Sequence, residues 1–178
     1  MDDLKVKSFE LRRHVLDMIM KARTGHIGGD FSVMDILVNL YFKQMDIGPG
    51  NMDDPDRDMF VLSKGHSVES YYAVLAAKGF FPIEKVMDGF SAFGSKFIGH
   101  PNNKLPGIEM NSGSLGHGLP VCIGMALASR MDGRNTSCSS MVSFAWFLTD
   151  RPSTLPMPSD AAANTASAPK YETGLAGG

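Results

Sequence analysis

An α/β fold built on a parallel sheet is what this sequence predicts. Three observations carry the prediction: an amphipathic helical pattern near the N-terminus, a strand-turn-helix order in residues 59–78, and a second run of helical sequence after a long Gly-rich loop. The chain has 178 residues, 43% of them apolar and 20% charged, enough for one substantial core with an appendage.

From Leu4 to Arg23 the residues Phe9, Leu16, Ile19 and Met20 recur at near-helical spacing with Arg12, Arg13 and Asp17 between them, predicting a helix that Gly25 ends. Ser32, three residues before Asp35, opens the apolar run Val33, Ile36, Leu37, Leu40 and Tyr41. That pattern resembles a capping box and predicts a second helix starting there and stopping near Lys43. The stretch 46–58 mixes Gly, Pro, Asn and Asp, a surface loop by its turn chemistry. Met59 to Leu62 is a short apolar run fit for a buried strand, and Ser67 to Lys78 is a helix stopped by Gly79. Pro82, at a first helical position, starts a short helix to about Asp88. Residues 91–117 then form one long loop, and Gly118 to Met131 returns to helix with Gly133 as its stop.

After Arg134 the composition turns to Ser, Thr, Ala, Pro and Gly. Only Ser143 to Leu148 there has the makings of an ordered element. From Asp150 onward no apolar periodicity remains to offset ordering entropy, which predicts a tail that does not pack.

The net charge of −2 gives no field for nucleic acid or an anionic membrane. An anionic ligand must be held locally. Cys122 and Cys138 form no C-x-x-C pair, and neither a signal-like nor a membrane-length apolar run is present. A reducing cytoplasm is the expected compartment.

Four of the five histidines follow glycine: Gly25-His26, Gly65-His66, Gly99-His100 and Gly116-His117. Glycine allows close approach of backbone to a ligand, and imidazole moves protons near neutral pH. For any one pair, a solvated turn histidine is the plain alternative; together they suggest a polar ligand. His14, inside the first helix, reads as a face residue. A zinc site is disfavoured because no H-x-x-x-H spacing occurs. Residues 111–118 (NSGSLGHG) feed a helix N-terminus, an arrangement that offers backbone N–H groups to an anion or serves only as a flexible connector.

In the segments TGHIGGDFSVMDILVNLYF (24–42), DRDMFVLSKGHSVESYYAVLAAKGFFP (56–82), FGSKFIGHP (93–101) and PGIEMNSGSLGHGLPVCIGMALASRMDG (106–133), the chain resembles the N-terminal half of transketolase. The likeness is closest to the separate N-terminal subunit of split transketolases, and it covers nearly three quarters of the chain. The resemblance implies a thiamine diphosphate-binding fold, here incomplete, with helices on both faces of the sheet. It occupies residues 1–134 as a partial domain, with 135–178 as a divergent tail. It further implies thiamine diphosphate as cofactor, two-carbon ketol transfer between sugar phosphates, and either a C-terminal transketolase subunit or self-association as a homo-oligomer.

By the same resemblance His66 touches the diphosphate and the reaction centre. Gly113, Ser114, Leu115 and His117 line the cofactor, and His26 and His100 bind the sugar donor and move protons. In the family the segment after residues 131–134 leads to a GDG motif whose Asp, with a later Asn, holds the magnesium or calcium that bridges the diphosphate. No GDG occurs here, so no metal ligand is assigned. The abrupt change after Arg134 resembles a shifted reading frame or a truncated gene. A catalytically inactive module of the same fold is the alternative expectation.

Overall fold

The computed structural model describes residues 3–134, 136–142 and 145–148; the tail from Asp150 lies outside the described residues. The elements in order are α1 (Asp3–Ala22), α2 (Ile27–Asn39), a π-turn (Leu40–Gln44), β1 (Met59–Val61), a 3₁₀ turn (Gly65–Ser67), α3 (Val68–Lys78), α4 (Ile83–Gly89), α5 (Gly118–Met131), β2 (Cys138–Val142) and β3 (Ala145–Leu148).

In α3, all eight residues from Val68 to Leu75 are buried, the signature of a helix enclosed by others. Gly79 ends it in the left-handed conformation with φ 97°. Around it pack α1, α2 and α4, and a single cluster joins Val15, Met18, Leu37, Tyr41, Tyr71, Tyr72 and Val86 with many others.

On α1 the sequence reading is corrected. The buried stripe is Leu11, Val15 and Met18; of the four residues read from the spacing, Ile19 packs partly buried against the core, while Phe9, Leu16 and Met20 are exposed. Spacings of four and three put the first set on one helical face, and α2 and α3 cover that face. The second apolar stripe is left at the surface.

The start of α2 is also corrected: the helix begins at Ile27, five residues before Ser32. Asp30 N already donates to His26 O at 3.1 Å. Ser32 Oγ instead donates back to Gly29 O and accepts from Lys64 Nζ, and Asp35 pairs with Arg12 at 2.8 Å. Both members of the supposed capping box are thus engaged elsewhere, and Gly29 lets the first turn press close to Ser67. A tertiary contact has overridden the local signal. The helix end near Lys43 holds, in a widened turn where Met45 N reaches Leu40 O and Lys78 Nζ donates to the Tyr41 carbonyl. Pro82 sits just outside α4, with Ile83 first inside it.

The sheet order is β1-β2-β3. Met59 lies opposite Cys138 and Val61 opposite Ser140 in a parallel pair, and β3 adds antiparallel to β2. β1 sends Phe60 one way, onto Tyr41 and Tyr71, and Val61 the other, onto Cys122 of α5. Alternation along the strand thus places helices on both faces, as expected. Composition alone did not mark β2 as a strand. Buried Asp58 secures its entry: one carboxylate oxygen accepts from Ser137 N at 3.0 Å and the other from Asp46 N at 2.8 Å.

Candidate functional site

The turn that follows β1 carries Ser63-Lys64-Gly65-His66, at the carboxyl end of a parallel strand, where α/β sheets hold their ligands. Its backbone is pinned from two sides. Gly118 N, at the start of α5, donates to Ser63 Oγ at 3.0 Å, and Ser112 Oγ donates to Leu62 O at 2.5 Å. A side chain at Gly65 would meet the Ser112 carbonyl at 2.9 Å, and one at Gly118 would meet Ser63 Cα at 2.8 Å. At both positions glycine is there for the packing of loop on loop.

Three histidines from three separate segments converge here. The His26 ring centroid stands 5.4 Å from that of His66 and 6.3 Å from that of His100, both edge-on. The loop bearing His100 is anchored by Tyr72, whose hydroxyl lies 2.9 Å from Ile98 O and 3.1 Å from His100 O, while Phe97 packs on Tyr72 and Phe81. Gly113 approaches so that a Cβ there would lie 3.6 Å from the His100 ring.

His117 is at the N-terminus of α5, exposed, and among the described residues makes no ring contact with the other three. Ser114 and Leu115 are exposed on the same loop, Leu115 at 57%. His14 remains on α1, half-buried.

Sequence reasoning missed three charged groups beneath the histidines. Asp30 and Glu69 are both fully buried at 0% exposure. Glu69 Oε1 accepts from His26 N at 3.1 Å and lies 3.7 Å from His26 Nδ1. Asp30 Oδ1 accepts from Ser70 N at 2.8 Å, capping α3 from a neighbouring helix. Burial first, then the adjacent Glu69 charge, pushes the Asp30 carboxyl up to about 8, and burial raises Glu69 as well.

Lys64 is also buried, with Nζ donating to Gly29 O at 3.2 Å and Ser32 Oγ at 2.9 Å, and burial holds its pKa below the usual lysine range. His66 is lowered too, by burial first and then by the nearness of His26, Lys64 and His100. It is therefore a proton acceptor at neutral pH.

Residues 5–142 match the family described as transketolase, thiamine diphosphate binding domain. This chain belongs to that family. It is 47% identical over 131 residues to one of the subunits of the apulose-4-phosphate transketolase of Phocaeicola vulgatus, covering 74% of this chain and 46% of the relative. It is 43% identical to a 6-deoxy-6-sulfo-D-fructose transketolase subunit of Clostridium sp., covering 73% and 47%. Among solved structures, the transketolase of Campylobacter jejuni superposes with a TM-score of 0.68 at 30% identity, covering 74% of this chain and 21% of that one. The chain spans about half the length of the curated relatives it matches.

In this transketolase-family chain the donor set suits part of the family cofactor. Imidazoles and glycines border open space: a side chain at Gly28 or Gly116 would meet nothing within 4 Å. Polar ring nitrogens beside open backbone fit a diphosphate and a sugar. Among the described residues no group of three or more His, Cys, Asp or Glu is placed to hold a metal ion by itself. Nor is any described helix long and apolar enough to cross a membrane.

Proposed function

We propose that this chain supplies the histidine and glycine-loop side of a thiamine diphosphate site in a two-subunit, cytoplasmic transketolase, transferring two-carbon ketol units between sugar phosphates. The observation that carries the reading is the convergence of His26, His66 and His100 from three loops at the carboxyl edge of β1. When bound, the cofactor supplies the electron sink for carbon-carbon cleavage. The protein's part is positioning and proton handling.

His66, neutral at working pH, accepts a hydrogen bond or proton from the ligand nearest Gly113 and Ser114. His26 and His100 bind hydroxyls of the sugar donor and move protons between them. Leu115, exposed near His117, offers an apolar support for the cofactor's pyrimidine ring, and His117 contacts cofactor or substrate.

A partner is supported by two features. Several relatives are named as single subunits of a transketolase, and Ile123, Leu127 and Met131 expose one apolar face of α5. A C-terminal transketolase subunit seated there supplies what this chain does not; a second copy of the chain is the other occupant.

The test is ketol transfer with xylulose 5-phosphate and ribose 5-phosphate under saturating cofactor and magnesium, with a complementary C-terminal subunit present. The reading expects turnover that His66→Ala and His100→Ala each reduce by on the order of a hundredfold or more. A second reading, a cofactor-binding module without catalysis, is favoured by the missing GDG motif. Cofactor binding with no turnover in the assembled pair would select it.

A further inference from the structure

We propose that Glu69 is a positioning residue for His26: its carboxylate, hydrogen-bonded by a protonated Asp30 carboxyl behind it, keeps the proton of the neutral His26 ring on Nδ1 and leaves Nε2 as acceptor. The role of His26 in the site rests on the function proposed above; the Asp30–Glu69–His26 geometry does not.

Two buried carboxyls in hydrogen-bonding contact cannot both be ionised at small cost, because burial strips both of hydration and their charges repel. The surroundings decide which one keeps the proton. Glu69 Oε1 faces two nitrogens of His26, the backbone N–H at 3.1 Å and Nδ1 at 3.7 Å, both of which favour the anion. On Asp30, Oδ1 accepts from Ser70 N, but Oδ2 has no donor, and neither has Glu69 Oε2. A proton on Asp30 turns one of these acceptors into a donor and satisfies both carboxyls at once.

The other groups that face the pair agree with this assignment. Lys64 acts on Asp30 only through space, its Nζ being committed to Gly29 O and Ser32 Oγ. Tyr72, on the same helix as Glu69, stays neutral because burial raises its hydroxyl. Gly25 is part of the same construction. A Cβ there would come within 2.8 Å of Glu69 Oε1, so glycine before His26 lets the backbone reach the carboxylate.

The experiment is ¹⁵N NMR of the histidine-labelled chain, to read the His26 tautomer, together with infrared detection of a protonated-carboxyl stretch at neutral pH. The Nδ1–H tautomer should dominate in the wild type and in Asp30→Asn, whose amide still donates to Glu69. It should give way to Nε2–H in Glu69→Leu. Should Glu69→Leu fail to fold, Glu69→Gln should show a reduced Nδ1–H fraction. The infrared band should be present in the wild type and Glu69→Gln and absent in Asp30→Asn.

A dominant Nε2–H tautomer in the wild type, a tautomer indifferent to Glu69, or a band that survives Asp30→Asn would overturn the proposal. Failure of ketol transfer in the assembled pair would sink the proposed function while leaving these spectra unchanged, so the two can fail separately.

Discussion

The two sides of the site are built to different standards. His26 and His66 stand at the start of α2 and on the turn into α3, beside a core that joins four helices, and even their acidic support is fully buried. The loop 111–117 is pinned to Leu62 through Ser112, and α5 rests on a much smaller cluster of Val61, Cys122 and Cys138, with Ile123, Leu127 and Met131 facing outward. The histidine side is organised by this chain alone, whereas the glycine-loop side presents a surface that another chain can complete. A catalytic group needs fixed geometry, and a cofactor that enters between chains needs an accessible edge.

Substitutions in the two regions should therefore differ. Leu37→Ala, in the large core, should cost about 2–5 kcal/mol of stability by chemical denaturation. Gly118→Ala should cost about 1–3 kcal/mol, since its Cβ would meet backbone at Ser63, and should weaken cofactor binding more than its stability loss explains. Val61→Ala, in the small cluster, should cost only about 1–2 kcal/mol, at ~0.8 kcal/mol for each buried CH₂. Equal losses for Leu37 and Val61 would erase the distinction between the two regions.

A pH series sharpens it. Because the folded Asp30 carboxyl titrates at about 8 against an ordinary 3.8, the native state binds more protons than the unfolded state between those values. The Asp30 contribution is full below the ordinary value and is lost as pH rises towards the folded one. Asp30→Asn should flatten that decline in melts across the window. The smallest effect belongs to Asp35. Its hydrogen bond from Arg12 lowers its pKa, so its contribution is present above the ordinary carboxylate range and lost as pH falls. Being exposed, the pair should yield under ~1 kcal/mol on Asp35→Asn, and less in high salt.

Much of this was legible in the sequence, because local rules decide it. Gly79 at the end of α3, the 59–62 strand and the extent of α5 follow from glycine conformation and apolar periodicity. The histidine cluster was legible as glycine-histidine pairs, though not that His117 stands apart. What escaped depends on partners distant in sequence. Ser32 lost its capping role to Lys64, the apolar stripe Phe9-Leu16-Met20 lost the interior to Leu11-Val15-Met18, and Ser139 and Ser140 in β2 were buried by pairing with β1 despite a polar composition. Asp30 and Glu69 were passed over because the few residues around an acid seldom distinguish a buried one from an exposed one.

The central proposal is that the chain carries the imidazole and glycine-loop side of a thiamine diphosphate site and, having no GDG motif in its sequence, does not supply the metal ligands. Calorimetric titration of the purified chain with thiamine diphosphate, with and without magnesium, tests it most directly. The account predicts weak binding that His66→Ala abolishes and that magnesium changes by less than about tenfold, or ~1.4 kcal/mol. Binding tightened far beyond that by magnesium, or left untouched by His66→Ala, would contradict it.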